Sequence, residues 1–279
     1  RRQRQMCIRD SHQRTFLNDR FVGTGPYRLT LFQAQQQRLE PFPGYWGRRP
    51  ANRGLELVNL SNSTALYGAL QSGEVDVLLS TSLENDQQMA LHRQARRGRL
   101  REGVGPSLEI GYLSLLTTAP PFSDPRLRRA LALSLDRDLI NARVSEQLRS
   151  SLRTVVPTML PGSAPGSWPA FNPGAARSLL TKAGYCRGRV LTIPLTFRSN
   201  IPSDRLFALT WQAQLKRDLP DCVALQVTGL EATTAYRQLG DGAFALILLD
   251  WIADFPDADN YLLPLLGCEQ SEGTRCLRG

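Results

Sequence analysis

Two aspartates lie at the carboxyl end of the most apolar segment of the sequence. The segment FALILLDW spans residues 244–251, and Asp250 and Asp254 lie at and just beyond its end. An unbroken apolar run of this length predicts a strand that is buried on both faces of a sheet. Ligands of α/β proteins bind beyond the carboxyl ends of strands, and a carboxylate buried there needs a cationic partner. The two carboxylates therefore lie where an α/β protein would place a small-molecule ligand.

Residues suited to catalysis are scarce. The chain has two histidines, His12 near its amino terminus and His92 in a polar predicted helix. A solvated surface position is the simpler interpretation of His92. The sequence contains no nucleophile elbow, P-loop or GxGxxG fingerprint, and the GVG at 103–105 is an isolated glycine pair. We therefore expect a binding protein and not an enzyme, with no metal and no cofactor.

The cysteines suggest two disulfides. Cys186 and Cys222 each precede a predicted strand, and neighbouring parallel strands would bring their starts together. Cys268 and Cys276 flank the polar loop CEQSEGTRC and are expected to close it. Both bridges need an oxidising compartment. Metal binding is the alternative, although the spacing does not match a zinc pattern and no histidine is near; the connectivity stays open at this point.

The first eleven residues, RRQRQMCIRDS, resemble one reading frame of a transposon-type sequencing adapter. They carry four arginines and one aspartate, so they contribute +3 to the formal net charge of +9 and leave +6 for the rest. They also contain Cys7, which leaves four of the five cysteines. We expect residues 1–11 to be an artefact that takes no part in the fold.

Length and composition are those of a globular chain. The 279 residues are 42% hydrophobic, which suits one large or two ordinary domains. The longest apolar run, Phe244–Leu249, is far short of the roughly 20 residues of a membrane helix. Basic residues are dispersed apart from a cluster without an aromatic platform, so nucleic-acid binding is not expected. The cluster comprises Arg93, Arg96, Arg97, Arg99 and Arg101.

Apolar periodicity and turn residues predict alternating strands and helices. Strands are expected at 27–31, 55–60, 75–80, 108–116, 190–197, 222–230 and 244–251. Helices are expected at 63–71, 83–97, 123–144, 175–183, 205–218 and 233–240. Ser123 is the expected N-cap of the clearest helix, and Ser61 or Ser63 that of the first. The strand, helix and strand over 55–80 predict a parallel βαβ unit and hence α/β architecture. The long Pro/Gly-rich loop at 154–174 is expected to be functional or to wrap a neighbour.

Several segments, in this order and spacing, resemble family 5 of the bacterial solute-binding proteins, the peptide, oligopeptide and nickel receptors of ABC importers. The matching segments are GTGPYRL (23–29), LEPFPGYWGRRP (39–50), LQSGEVDVL (70–78), PPFSDPRLRRALALSLDRDLI (120–140), LLTKAGY (179–185) and DWIADFPDADNYL (250–262). The resemblance covers residues 16–265 and implies an α/β fold of the periplasmic binding protein type II kind. In that fold two lobes are joined by crossing strands and enclose the ligand.

The same resemblance implies a chain truncated at both ends. Residues 12–109 would be part of lobe I and 110–279 most of lobe II, with the first crossing near residues 108–116. A signal segment and the opening strands would precede residue 12, and the return crossing would follow residue 279. A fragment of this kind is expected to be poorly soluble when expressed alone.

The resemblance also implies the ligand and its contacts. Asp254 matches the family aspartate that holds the amine of a bound peptide, and the main chain of Asp250, Trp251 and Ile252 would pair with the peptide backbone. A capping carboxylate before Pro256 and a core aromatic are the alternative interpretations of Asp254 and Trp251. Asp250 stands where family members often have glycine, so it either favours cationic ligands or points away. Arg198 is a candidate partner for the ligand carboxylate. Tyr45 and Trp46 are expected to pack within a lobe, and Trp168 is a candidate for a pocket wall.

A receptor of this kind would act as a monomer in the periplasm or on the outer face of the cytoplasmic membrane, soluble or as a lipoprotein. It would deliver peptides to a membrane permease and its ATPase. Two alternatives remain open at this point, because function lies in the site and not in the fold. One is a receptor for a nickel chelate, haem, an opine or an oligosaccharide, and the other is a binding or sensing module without transport.

Overall fold

The computed structural model describes residues 23–79, 83–103, 105, 107–145, 149–164, 166, 168–268, 270–273 and 275–278. The predicted artefact at 1–11 and His12 lie outside these residues. The chain forms two compact units that divide between Leu78 and Leu79. The lobe boundary between residues 109 and 110 stays a prediction.

In its described residues, the first unit contains a small antiparallel sheet followed by a helix. Strands β1 (Tyr27–Phe32), β2 (Gln36–Pro41) and β3 (Leu55–Val58) lie in that order, and each pairs antiparallel with the next. Helix α1 (Ser63–Ser72) begins at Asn62, whose side chain accepts a hydrogen bond from the Ala65 amide, and ends at Gly73 with a left-handed φ of 76°. The cap is therefore Asn62, and neither Ser61 nor Ser63.

The predicted parallel βαβ unit in this region is wrong. Strand β3 pairs antiparallel with β2, and residues 75–79 are not a strand. Val77 and Leu79 are 78% and 82% exposed. An extended segment becomes a strand only when a neighbour satisfies its backbone donors and acceptors, and no strand of the described chain lies beside it.

The second unit is built on a mixed sheet with the strand order β4-β7-β5-β6. The strands are β4 (Glu109–Leu115), β5 (Leu191–Arg198), β6 (Val223–Leu230) and β7 (Leu246–Ile252). Strand β5 is parallel to β6 and β7, whereas β4 is antiparallel to β7. Residues 246–249 of β7 are all buried, as the unbroken apolar run predicts.

Helices cover this sheet and fill its core. They are α2 (Asn85–Arg96), α3 (Pro125–Ser134), α4 (Arg137–Ser145), α5 (Pro173–Lys182), α6 (Pro202–Asp218), α7 (Ala232–Leu239) and α8 (Asp259–Leu266). The main core cluster joins apolar residues of α3, α5 and α6 to the sheet, with Phe122, Ile193, Leu195 and Trp211 almost fully buried. A second cluster lies near the end of β7 and includes Val156 and Leu160. The predicted wrapping loop at 154–174 therefore supplies core residues.

The predicted single helix at 123–144 is interrupted. Leu135 adopts an extended conformation, and the Asp136 carboxylate accepts a hydrogen bond from the amide of Leu139 at the start of α4. An aspartate that bonds to the local backbone competes with the helix, so α3 and α4 form two separate elements. The N-cap of α3 is Asp124, which accepts from the Arg126 amide, and not Ser123.

The Cys186–Cys222 disulfide is confirmed. Cys222 immediately precedes β6, and its carbonyl accepts a hydrogen bond from the amide of Leu191 at the start of β5. The starts of the two parallel strands therefore lie together, as the pairing requires. Cys268 is also in a disulfide, but the side chain of Cys276 lies outside the described part of the chain, so that pairing stays a prediction.

A short antiparallel hairpin follows α8. It comprises β8 (Gln270–Glu272) and β9 (Arg275–Arg278). In the described part of the chain, no helix has both the length and the apolar character needed to cross a bilayer.

Candidate functional site

The end of β7 presents a carboxylate to solvent. Ala253 is buried directly after the strand, and Asp254 follows it with its side chain exposed. Within the described residues the Asp254 carboxylate has no hydrogen-bond or ion-pair partner, although its backbone N–H donates to Asn260 Oδ1 at 3.2 Å. The main chain at Asp254 is thus held while its carboxylate is available for a cationic group.

Asn260 is the residue that holds this strand end, and the sequence interpretation missed it. It is 7% exposed and lies in the first turn of α8. Its Oδ1 accepts hydrogen bonds from the Trp251 indole Nε1 at 3.3 Å and from the Asp254 amide at 3.2 Å. Asp257 caps the same turn through the Asp259 amide at 2.8 Å. An asparagine six residues beyond the aspartate, at a helix start, is the signal that could have identified it.

Trp251 and Ile252 differ in their surroundings. Trp251 is partly buried and packs on the second core cluster, opposite Ile110 of β4. Ile252 is 59% exposed and lies opposite Glu109. Trp251 therefore combines core packing with partial exposure, whereas the Ile252 side chain is largely in solvent.

One edge of β7 is open next to these residues. Strand β4 pairs with β7 as far as Ile252, but the described pairing of β5 with β7 ends at Thr196 and Ile247. From residue 250 to residue 252, where β7 is no longer fully buried, the edge that faces away from β4 has no strand partner in the described chain. Its backbone groups can therefore pair with an added extended segment.

Arg198 lies at the end of β5 and is only 4% exposed. Its Nε and Nη2 donate to the two carboxylate oxygens of Asp204, at 2.7 and 3.0 Å. Its Nη1 donates to the Tyr236 hydroxyl at 3.0 Å and forms an ion pair with Asp250 Oδ1. The Tyr236 hydroxyl in turn donates to Asp250 Oδ1 at 2.7 Å. The structure thus brings together Arg198 and Asp250, and it adds Asp204 and Tyr236, which the sequence interpretation did not identify.

Burial and hydrogen bonds shift the pKa values of the groups in and beside this cluster. Burial acts to raise the pKa of Asp250, but hydrogen bonds from Arg198 and Tyr236 outweigh it and lower that pKa. Burial also acts to lower the pKa of Arg198, but its bonds to Asp204 and Asp250 raise it overall. Burial and the bond to Asp250 raise the pKa of Tyr236 to about 12. Burial and the charge of Asp250 raise the pKa of Tyr112 to about 12.

Burial raises the pKa of Asp204, but both of its oxygens accept hydrogen bonds from the Arg198 guanidinium, and this bidentate geometry favours the carboxylate. At neutral pH we therefore take Arg198, Asp204 and Asp250 as charged and Tyr236 as protonated. The cluster contains one cation, Arg198, and two anions, Asp204 and Asp250, so its net charge is −1.

The remaining candidates make local contacts within their own units. Trp46 is exposed, with its ring centroid 5.2 Å from that of Tyr45. Trp168 is exposed and lies 5.7 Å from the guanidinium of Arg137. His92 contacts Glu102 at 2.7 Å, and the five arginines of the basic cluster are all exposed.

Sequence comparison places these features in a known context. The family described as "Bacterial extracellular solute-binding proteins, family 5 Middle" matches residues 8–273. The dipeptide-binding protein of Escherichia coli is 27% identical over 256 residues, which are 90% of this chain and 46% of that protein. The heme-binding protein A of Haemophilus influenzae is 26% identical over 256 residues, which are 90% of this chain and 45% of that protein.

Solved structures agree on the fold. A dipeptide-binding protein from Pseudoalteromonas in complex with Met-Leu matches with a TM-score of 0.75 and 25% identity, over 95% of this chain and 51% of that one. NikA from Brucella suis in complex with Fe(III)-EDTA matches with a TM-score of 0.71 and 25% identity, over 88% and 53%. The predicted α/β fold of the periplasmic binding protein type II kind is thus confirmed. The chain spans about half the length of these relatives.

Proposed function

Because the chain belongs to the family 5 extracellular solute-binding proteins, we propose that it forms part of a receptor that captures peptides for an ABC importer. The observation that carries the proposal is the exposed Asp254 carboxylate, which has no partner among the described residues and lies beside the open edge of β7. A peptide offers an ammonium group and a row of backbone donors and acceptors. The strand end offers a complement to both.

Asp254 receives the peptide amine. When two lobes close on a ligand, water leaves the site, and an ammonium without a partner would then be very costly. Asn260 holds the Asp254 backbone by a hydrogen bond, so the carboxylate projects from a fixed main chain. A fixed anion gains affinity because little further ordering is needed when the ligand binds.

The peptide backbone pairs with β7. The main chain of Asp250, Trp251 and Ile252 lies in the stretch that has no strand partner on the side away from β4. An extended peptide adds there as a further strand, and its main-chain bonds give affinity that does not depend on its sequence. Trp251 is partly exposed and supplies an aromatic surface beside this stretch.

Arg198 contributes to the site through Asp250. Its donors are directed to Asp204, Asp250 and Tyr236, and it is nearly buried. We therefore assign it the role of holding Asp250 in place, instead of the expected direct contact with a ligand carboxylate.

The receptor would work outside the cytoplasm, in the periplasm or lipid-anchored at the outer face of the membrane. It would be monomeric, would have no catalytic activity, and would pass its ligand to a permease and ATPase complex. The Cys186–Cys222 disulfide supports this location, because such bonds persist in oxidising compartments.

Calorimetry on the full native protein in which this chain occurs tests the proposal. Di-, tri- and pentapeptides, a nickel chelate and haemin are titrated separately. Saturable binding of at least one peptide class is expected. If every peptide fails to bind while the chelate or haemin binds, the peptide assignment is wrong and the alternative receptor class replaces it.

A further inference from the structure

Asp250 changes the chemistry of the strand end. Arg198 is the cation that could attract a ligand carboxylate to the ends of β5 and β7. Asp204 alone would neutralise it, since that carboxylate binds both Nε and Nη2. Asp250 adds a second anion, and its Oδ1 occupies the remaining guanidinium nitrogen, Nη1.

Of the two aspartates that bind Arg198, Asp250 is the one whose side chain reaches solvent. Its side chain is 24% exposed, whereas those of Arg198 and Asp204 are 5% and 7% exposed. Both bonds described for its carboxylate are made by Oδ1, with Arg198 and Tyr236. The excess negative charge of the cluster therefore lies at its accessible side, on the same strand end that carries Asp254.

We propose that Asp250 is the specificity-determining residue of this site: it prevents Arg198 from binding a ligand carboxylate and selects peptides that carry an additional positive charge. The inference rests on the proposed function and adds the ligand class to it. A peptide with a lysine side chain close to its amine meets two anions at this strand end, Asp254 and Asp250. A free carboxylate placed there meets the excess negative charge of the cluster, and the two guanidinium groups described near Asp250, those of Arg198 and Arg149, are already paired with carboxylates.

The size of the effect follows from Coulomb's law. A unit charge several ångströms from Asp250, near the protein surface, changes affinity by roughly 10- to 100-fold. The sign differs for the two ligand charges: attraction for an ammonium and repulsion for a carboxylate.

Two matched ligand pairs measure this selectivity in the full native protein. The first pair is a peptide with lysine and its isosteric counterpart with norleucine, and the second is one peptide as its free acid and as its amide. Wild type is expected to prefer lysine and amide, each by roughly tenfold or more. In Asp250→Asn, which keeps the shape and removes the charge, both ratios are expected to fall to roughly threefold or less.

Asp241→Asn is the control, because Asp241 is an exposed aspartate that follows α7 and lies outside the cluster. It removes the same charge and should leave both ratios at their wild-type values. Equal ratios in wild type and Asp250→Asn, or no preference in wild type, would overturn the inference. Failure of all four peptides to bind would overturn the proposed function as well, so the two failures are distinguishable.

A measurement on wild type alone covers the case in which Asp250→Asn fails to fold. Raising the salt from about 0.01 M to about 1 M shortens the screening length from about 30 Å to about 3 Å. The preference for lysine over norleucine should fall over this range, although by less than for a fully exposed pair, because partly buried charges are screened less. A preference that stays unchanged or rises with salt contradicts a charge-based selection.

Discussion

Removal of the Asn260 side chain should detach the binding segment from α8. Asn260→Ala takes away the one oxygen that accepts both the Trp251 indole N–H and the Asp254 amide. A buried donor left without an acceptor costs about 1–3 kcal/mol. Trp251 is only partly buried and Asp254 is exposed, so water can reach both donors and the low end applies to each. The expected loss in the free energy of unfolding is therefore about 2 kcal/mol.

Urea denaturation of wild type, Asn260→Ala and Asn260→Asp measures this loss. The aspartate variant retains an oxygen acceptor of the same shape but places a negative charge at a nearly buried position, so it should recover only part of the stability that the alanine variant loses. The alanine variant should also show a smaller preference for a free-amine peptide over its N-acetylated form, because Asp254 is no longer held. A stability within about 0.5 kcal/mol of wild type, with an unchanged amine preference, would refute the assigned role of Asn260.

Two further outcomes concern the disulfide and the tyrosines Tyr112 and Tyr236. The Cys186–Cys222 bond spans 36 residues, which corresponds to about 4 kcal/mol of chain entropy, so the double variant to serine should lose about 2–4 kcal/mol in urea unfolding. Equal stability of the double variant and oxidised wild type would contradict the estimate. Tyr112 and Tyr236 should ionise near pH 12 in an ultraviolet titration, and Tyr236→Phe should remove one of these late transitions. Since both pKa values are raised on folding, their contribution to stability is present below about pH 10 and is lost as the pH rises towards 12. Ionisation of all seven tyrosines near pH 10 would show that the two phenols are not held as described.

Features that depend on local pattern could be predicted from the sequence. The apolar run before Asp250 fixed a buried strand, because continuous burial on both faces leaves few other arrangements. The positions of Cys186 and Cys222 before two predicted strands indicated their disulfide, because neighbouring parallel strands begin at the same edge of a sheet. The order of the family motifs located Asp254 at a strand end, where the structure has it.

Features that depend on distant partners could not be predicted in this way. The partners of Arg198 come from α6, α7 and β7, and nothing in the local sequence links them. The break at Leu135 depends on Asp136, whose amide donates to Gln214 of α6 at 3.3 Å. Residues 75–79 have the composition of a strand, but a strand also needs a neighbour.

The most direct test of the account is the affinity of wild type and Asp254→Asn for one peptide with a free amine and for its N-acetylated form. The asparagine keeps the shape of Asp254 and removes its charge, so a buried ammonium would lose its partner. Loss of one member of such a pair costs about 2–5 kcal/mol, or roughly 30- to 5000-fold in Kd. We predict a loss of this size for the free-amine peptide in Asp254→Asn and little change for the acetylated one. Equal affinity of both proteins for the free-amine peptide would contradict the claim that Asp254 receives the ligand amine.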